Sequence, residues 1–285
     1  MDTKHQLNRF LLSRFDKREL FHRLTNFRQS TRFTFLDLDG TIHRGLCYRF
    51  WKGKSNIDLA LFLNFSLLVE PVLLYSHCVR LAQFKQRIKE YPVSENALNL
   101  DQSSMDIQEF IKEVLRGLPY LHLQKAATQV CRLAFSGAAH CIQTIARYST
   151  RSVLISRALI PVLEAYANRF NAEFGVHLSY FGNDLLVQDG KIESLNPHQS
   201  VLTAVNKMSV VEMLLRPLRG EGEAVIIANG YEDLLMFEIA DELLGSDYVL
   251  KIAMMPTSKD LRDKADVIAT SWKGLSEILS SRNLV

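Results

Sequence analysis

The chain has 285 residues, of which 47% are hydrophobic and 23% are charged. This length and composition exclude a disordered or fibrous protein and predict one large domain, or a core that carries an inserted second one. The net charge of +3 is small for the length and indicates no nucleic-acid partner. The four cysteines include no CxxC pair, which predicts the buried thiols of a cytoplasmic protein rather than a disulfide scaffold.

Basic charge is concentrated in the first 32 residues, which hold eight Lys or Arg and three Asp or Glu. Their leucines and phenylalanines recur at roughly helical spacing, which predicts a basic amphipathic N-terminal extension over residues 1–32. No apolar run follows these basic residues, so we expect no secretory signal peptide. Two interpretations stay open: a helix docked on the domain by its apolar stripe, which is favoured, and a helix on a membrane surface or at a partner protein.

The first predicted strand covers residues 33–36 and ends at Asp37. Asp39 follows two residues later, and Gly40 lets the chain turn so that both carboxylates can approach one small volume. In a parallel sheet, the loops at the carboxyl ends of the strands form the ligand crevice. A hard divalent cation such as Mg²⁺ would allow two neighbouring carboxylates to stay ionised. The pattern therefore predicts a magnesium site directly after this strand.

A long stretch without strand signals follows, and its apolar periodicity predicts helices over residues 58–75, 79–91, 105–117 and 121–133. Within it, the uncharged segment 59–69 is shorter than the roughly 18 residues that a membrane span needs. We therefore predict a buried helix there, with insertion into a membrane interface as the open alternative. The histidines show no metal-ligand spacing and are interpreted as structural or surface residues.

From residue 151 onward, short apolar strands alternate with helices. Strands are predicted over 152–155, 176–181, 185–193, 224–227, 248–253 and 267–269, and helices over 161–174, 207–215, 232–244 and 273–279. This alternation predicts the α/β class, with a three-layer Rossmann-like core around a parallel central sheet. The core then comprises residues 33–44 and 149–285, and residues 45–148 form an inserted, all-helical cap domain.

Four ordered segments resemble the motifs of the haloacid dehalogenase superfamily. The string Asp37-Leu38-Asp39-Gly40-Thr41 after a strand is similar to the first motif. Three further segments resemble the second, third and fourth motifs in order. They are Ser156 at the end of the next core strand, Lys207 at a helix start, and the segment Ala228-Asn229-Gly230-Tyr231-Glu232-Asp233. The helical insertion and the extended stretch over 181–191 are similar to the phosphoserine-phosphatase-like subgroup. The resemblance covers residues 33 to about 280.

The resemblance implies a Mg²⁺-dependent phosphatase that hydrolyses a phosphate monoester through an aspartyl-phosphate intermediate. Asp37 would be the nucleophile, Asp39 the general acid and base, and Lys207 the fixed positive charge. The residues that the resemblance implies in substrate binding are Thr41, Ser156 and Arg157. Those that it implies as metal ligands are Asp37, Asp39, Asn229 and Asp233.

Asn229 departs from the family pattern, because similar phosphatases carry a metal-binding Asp at this position. An amide oxygen is a weaker ligand for Mg²⁺ than a carboxylate. The alternative function is therefore a catalytically weakened domain that binds a phosphorylated ligand or partner. A dehalogenase, which attacks carbon without a metal, is disfavoured because Asp39 supplies the second acid that phosphate chemistry needs.

The apolar segment 59–69 and the aromatic run over 48–51 indicate a lipophilic substrate. Packing within the cap explains the same residues at least as well. We expect a phosphorylated small molecule or a lipid phosphate as partner, and no nucleic acid. The predicted location is the cytoplasm, with peripheral contact to a membrane through residues 1–32 or 59–75 as an open interpretation.

Overall fold

The computed structural model describes residues 4–26, 31–46, 54–90 (the backbone alone for 88–90) and 107–280. The strands are β1 (His5–Asn8), β2 (Leu11–Ser13), β3 (Thr31–Leu36), β4 (Arg151–Leu159), β5 (Leu178–Asn183), β6 (Leu185–Gln188), β7 (Lys191–Leu195), β8 (Gly222–Ala228), β9 (Val249–Met254) and β10 (Val267–Ala269). One sheet has the order β1-β2-β10-β9-β8-β3-β4-β5, and β6 pairs with β7 in a separate hairpin. The strands from β10 to β5 in this order run parallel, which confirms the predicted parallel central sheet.

Helices cover both faces of this sheet, as the three-layer prediction requires. They are α1 (Lys17–Thr25), α2 (Ser55–Ser66), α3 (Pro71–Glu90), α4 (Tyr120–Val130), α5 (Ala138–Ala146), α6 (Ile160–Phe174), α7 (Ala204–Leu215), α8 (Leu234–Leu244), α9 (Lys259–Lys264) and α10 (Trp272–Leu279). Neighbouring residues of β3 face opposite layers, because side chains alternate along a strand. Phe35 packs into a core shared with α7 and α8, and Leu36 into a core shared with α6 and α10.

The N-terminal segment belongs to the sheet, in contrast to the continuous helical pattern predicted for it. Its first part forms the hairpin β1–β2, and β2 pairs antiparallel with β10. The Asn8 side chain accepts a hydrogen bond from the backbone N–H of Phe10 at 2.9 Å, which stabilises the turn. The helix prediction is wrong here because a few apolar residues at this spacing also fit two short strands. In α1, by contrast, Leu20 and Leu24 are fully buried, so docking by an apolar stripe is confirmed.

The described segments between β3 and β4 are mostly helical. The single helix predicted over 58–75 is wrong, since α2 ends at Ser66 and α3 begins at Pro71. A proline disrupts a helix interior but is favoured in the first turn of a helix, which explains the break. The helix predicted over 105–117 contains a π-helical turn, Ile111–Leu115. The aromatic run over 48–51 lies outside the described residues, and the division into core and cap domains stays a prediction.

The apolar segment 59–69 is buried on one side only. Leu59 and Leu63 are fully buried, whereas Leu68 is 62% and Val69 80% exposed. The predicted buried helix is therefore confirmed for one face of α2, and the turn after α2 presents apolar side chains to solvent. Among the helices that the structure describes, none combines the length and the apolar character needed to span a bilayer.

Candidate active site

Asp37 lies at the carboxyl end of β3, in the middle of the sheet. Leu36, the last residue of β3, pairs with Leu154 of β4 and with Ile227 of β8, both in parallel register. The backbone N–H of Asp37 then donates to the carbonyl of Ile227 at 3.0 Å. Parallel register brings the ends of the three strands to the same edge of the sheet. The segments that carry the first, second and fourth predicted motifs therefore meet at this edge.

A buried ion-pair cluster joins the first, third and fourth motifs. The Lys207 ammonium donates to Asp37 Oδ1 at 2.8 Å and to Asp233 Oδ1 at 2.6 Å. All three side chains are almost fully buried. Lys207 lies in the first turn of α7, whose start is fixed by a capping box between Thr203 and Asn206. The structure thus brings together three residues that are up to 196 positions apart in the chain.

The two carboxylates of this cluster share one ammonium group. Burial, followed by the neighbouring Asp233, raises the pKa of Asp37 well above its usual range, although Lys207 opposes the shift. Burial likewise raises the pKa of Asp233. Burial alone would lower the pKa of Lys207, but the Asp233 and Asp37 carboxylates raise it, so this side chain is charged. The site therefore has an excess of buried negative charge, which favours the binding of a proton or a cation.

The turn after Asp37 is fixed by contacts from two directions. The Thr41 hydroxyl donates to Asp37 Oδ2 at 2.9 Å, and the Trp272 indole N–H donates to the Thr41 carbonyl at 2.8 Å. Gly40 has a φ of +80°, and a Cβ atom there would lie 2.1 Å from Asn229 Nδ2. Only glycine combines this backbone conformation with so close an approach. The side chain of Asn229 thus packs directly against the loop of the first motif.

Asp233 organises the loop of the fourth motif. Its Oδ2 accepts hydrogen bonds from the backbone N–H groups of Asn229 at 3.3 Å and Gly230 at 3.0 Å. Its Oδ1 accepts from Lys207. Both carboxylate oxygens accept hydrogen bonds, so Asp233 anchors Lys207 and the loop, and its role as a metal ligand stays a prediction.

The remaining predicted site residues lie around this cluster. Asp39 Oδ1 accepts a hydrogen bond from the backbone N–H of Ser55 at 2.9 Å. Ser156 is buried two residues beyond Leu154, and its hydroxyl accepts from the N–H of Ala158 at 3.1 Å. The strand predicted to end at residue 155 continues to 159, so Ser156 belongs to β4. Arg157 approaches Glu232 of the fourth motif to 4.0 Å, which joins the second and fourth motifs at the edge of the site.

Comparison with solved structures finds several chains of similar fold at low sequence identity. A phosphoserine phosphatase in apo form has a TM-score of 0.58 and 18% identity, over 88% of this chain and 99% of that one. A HAD family hydrolase from Salmonella enterica serovar Typhi has a TM-score of 0.53 and 16% identity, over 90% and 73%. A cytosolic 5′-nucleotidase IIIB bound to cytidine has a TM-score of 0.57 and 12% identity, over 94% and 90%. The chain has the haloacid dehalogenase fold.

The predicted resemblance to the haloacid dehalogenase superfamily, in its phosphoserine-phosphatase-like form, is thus confirmed for the fold. No protein-family model matches the chain, and no curated protein matches it significantly. The match spans nearly the whole length of the phosphoserine phosphatase. Its low sequence identity leaves the activity to be argued from the residues of the site.

The donor set on this haloacid dehalogenase fold suits Mg²⁺ in chemistry, although it is short of carboxylates. The Asp37 carboxylate, the Asp39 carbonyl and the Asn229 side-chain amide all offer oxygen, and the excess negative charge favours a cation. In the part of the chain that the structure describes, no group of three His, Cys, Asp or Glu side chains could hold a metal.

Sequence reasoning did not reveal the partners of a second buried polar group beside the site. His43, interpreted as structural or surface, is fully buried and contacts Asp58 and Tyr166. Its position next to the first motif was visible in the sequence. Its partners were not, because they lie 15 and 123 residues away and show no ligand spacing.

Proposed function

We propose that the chain is a Mg²⁺-dependent phosphatase that hydrolyses a phosphate monoester through a covalent intermediate on Asp37. The buried Asp37–Lys207–Asp233 cluster at the carboxyl ends of the strands carries this proposal. Burying one ammonium and two carboxylates costs folding free energy, and ionisable groups with perturbed pKa values concentrate at functional sites. The shared fold with a phosphoserine phosphatase and a 5′-nucleotidase supports phosphate chemistry without choosing the substrate.

The residues of the site can perform the two steps of such a reaction. An Asp37 oxygen attacks phosphorus while the bond to the leaving oxygen breaks, and Asp39 gives its proton to that oxygen. Water then attacks the aspartyl-phosphate, Asp39 takes the water proton, and inorganic phosphate leaves. Lys207 orients Asp37 and balances negative charge throughout. Thr41 holds the second Asp37 oxygen, which fixes the direction of attack.

Mg²⁺ would be held by the Asp37 carboxylate, the Asp39 carbonyl and the Asn229 amide oxygen. When bound, it supplies positive charge to the phosphate oxygens. Ser156 and Arg157 stay candidates for substrate binding, because Ser156 lies two residues after Leu154 in β4 and Arg157 approaches Glu232 of the fourth motif. Arg157 offers a planar guanidinium that suits a phosphate or carboxylate group once it leaves Glu232.

A Mg²⁺-titrated assay with 4-nitrophenyl phosphate and a panel of phosphate esters tests the proposal. We expect Mg²⁺-dependent turnover, and an Asp37→Asn variant that loses about 10³-fold or more in kcat/KM. Asp189→Asn, at the exposed turn between β6 and β7, is the matched control and should keep full activity. Turnover that survives Asp37→Asn would contradict the proposal.

Asn229 favours a second candidate, a domain that binds a phosphorylated ligand with little turnover. The missing carboxylate weakens the metal site without touching Asp37. Calorimetry with inorganic phosphate separates the candidates. Phosphate binding together with no turnover of any ester in the panel would support the binding domain.

The substrate that we propose is a lipophilic phosphate ester presented at a lipid surface. Five exposed residues, which we call the apolar tip, surround the turn between α2 and α3: Phe65, Leu68, Val69, Val72 and Tyr75. Each is at least 62% exposed, and clustered exposed apolar residues mark interaction sites. Free thiols at the described cysteines agree with a cytoplasmic location beside such a surface.

Sedimentation with phosphatidylglycerol-containing vesicles tests this part of the proposal. The double variant Val69→Glu, Val72→Glu should reduce the bound fraction, because charges oppose insertion of the apolar tip. Met213→Glu, at an exposed residue of α7, is the control. Vesicle binding equal in both variants would rule out the apolar tip as the contact.

A further inference from the structure

The loop of the first motif is attached to the first turn of α2 at two points. Asp39 Oδ1 accepts a hydrogen bond from the Ser55 backbone N–H at 2.9 Å. Three residues further along the same turn, Asp58 Oδ2 lies 2.9 Å from His43 Nε2. Helix α2, which lies outside the sheet, therefore binds both Asp39, the proposed proton donor, and His43 at the end of the same loop.

The second attachment is buried and well defined. His43 and Asp58 are at most 1% exposed, and Asp58 Oδ2 also accepts from the Leu46 N–H at 3.2 Å. On the other side of the ring, His43 Nδ1 lies 2.8 Å from the Tyr166 hydroxyl. The Tyr166 hydroxyl in turn donates to the Val130 carbonyl at 3.4 Å. A carboxylate oxygen accepts hydrogen bonds, so we assign the donor proton of this contact to His43 Nε2. Moving α2 would leave these polar groups buried and unpaired, which is costly.

We propose that the first turn of α2, held in place by the His43–Asp58 pair, positions the carboxyl group of Asp39 for proton transfer. The Ser55 N–H binds Oδ1, which directs Oδ2 toward the substrate as the oxygen that carries the transferable proton. His43 and Ser55 are positioning residues, since neither touches the reacting atoms. This inference rests on the proposed phosphatase function and adds the device that sets the geometry of its general acid.

The chain offers a variant that removes the hydrogen bond to Asp39, with a control for the side chain that is lost at the same time. Ser55 is the first residue of α2 and follows Lys54, whose backbone is extended. A proline is favoured at this first position and tolerates an extended residue before it, so Ser55→Pro deletes the N–H and keeps the helix. Ser55→Ala is the matched control, because it keeps the N–H and removes a buried hydroxyl that has no hydrogen-bond partner among the described residues.

The experiment compares kcat/KM for phenyl phosphate, whose leaving group needs a proton, with 4-nitrophenyl phosphate, whose leaving group does not. We expect Ser55→Pro to lose about 10- to 100-fold for phenyl phosphate and less than about threefold for 4-nitrophenyl phosphate. Ser55→Ala should match the wild type on both esters. An equal loss on both esters in Ser55→Pro would overturn the inference, since a merely structural role gives no such selectivity.

A second pair of variants tests the attachment through His43. His43→Gln keeps an N–H donor close to the position of Nε2, whereas His43→Leu has none. We expect His43→Leu to lose activity selectively on phenyl phosphate, as Ser55→Pro does. His43→Gln should recover most of the activity on phenyl phosphate that His43→Leu loses. The downfield proton signal of the His43–Asp58 hydrogen bond should persist in Ser55→Pro, which shows that its loss of activity is not unfolding. A wild-type protein that hydrolyses neither ester overturns the proposed function itself, a result distinct from loss of selectivity.

Discussion

The charge balance around Asp37 depends on a few single residues. Lys207 provides one positive charge for two carboxylates, and Glu232 next to Asp233 adds a third acidic group. Lys207 and Arg157 lower the pKa of Glu232 despite its desolvation, so this side chain stays ionised. Asn229 is neutral, and its presence keeps a further negative charge out of the cluster. The substitution therefore lowers the electrostatic cost of the metal-free site at the expense of metal affinity.

Asn229→Asp tests this balance. We expect about tenfold or more tighter Mg²⁺ binding, because a full charge replaces an amide dipole at the cation. Without metal the variant should melt at a lower temperature than the wild type, since another carboxylate joins Asp37 and Asp233. Calorimetric titration with Mg²⁺ and thermal unfolding with and without the metal measure both effects.

Asn171→Asp, an exposed residue on α6, is the control for an added charge far from the cluster. It should change neither Mg²⁺ affinity nor the metal-free melting temperature appreciably. An Asn229→Asp variant with equal or weaker Mg²⁺ affinity would show that residue 229 does not contact the cation.

Helices α2 and α3 pack together through a polar contact as well as apolar ones. His77 of α3 is fully buried and its Nδ1 lies 2.8 Å from Asn64 Oδ1 of α2. The amide oxygen only accepts, so Nδ1 carries the proton of the neutral ring. His77 Nε2 is buried and has no hydrogen-bond partner in the described residues. A second proton would therefore place an unpaired charge between the two helices.

Stability of this helix pair should depend on pH. Burial, assisted by Arg80, lowers the pKa of His77 to about 4 from an ordinary 6.5. Between these values the unfolded chain binds more protons than the folded one, so stability falls as the pH falls from 6.5 and the loss is complete below about 4. The full loss is about 3 kcal/mol at most. Urea unfolding at a series of pH values measures it.

His77→Asn keeps a donor for Asn64 and cannot titrate. It should flatten the fall in stability between pH 6.5 and 4, whatever its effect at neutral pH. His140→Asn, an exposed histidine at the start of α5, should leave the slope unchanged. An unaltered slope in His77→Asn would assign the pH dependence to other groups.

For the molecule as a whole, the sequence predicted what depends on local patterns. The alternation of short apolar strands with helices predicted the parallel sheet, and the four motifs predicted which segments meet. Contacts between distant segments were not predictable, because no local pattern encodes them. Trp272 reaches Thr41 across 231 positions, and His43 reaches Tyr166 across 123. The N-terminal hairpin was predicted as a helix for the same reason, since its pairing partner β10 lies near the other end of the described chain.

The placement of this N-terminal segment leads to a prediction about the cooperative unit. Its α1 packs on α5 and α10, with Leu20 fully buried. Gly274 of α10 lets the hairpin approach, since a Cβ there would lie 3.2 Å from the carbonyl oxygen of Phe10. The segment thus contributes to the same apolar core as the site-bearing sheet. Deleting it would destabilise the core, so a truncation does not test membrane binding.

Leu20→Ala should therefore destabilise the whole protein by about 2–5 kcal/mol, the range for a leucine removed from a packed core. Arg18→Ala, at an exposed position of the same helix, should change stability by less than about 0.5 kcal/mol. Urea unfolding followed by circular dichroism and by tryptophan fluorescence measures both, because Trp272 lies in the core next to the Thr41 loop. Coincident, shifted transitions are expected for Leu20→Ala. If fluorescence keeps the wild-type midpoint while helical signal is lost earlier, α1 unfolds on its own and the catalytic sheet does not depend on it.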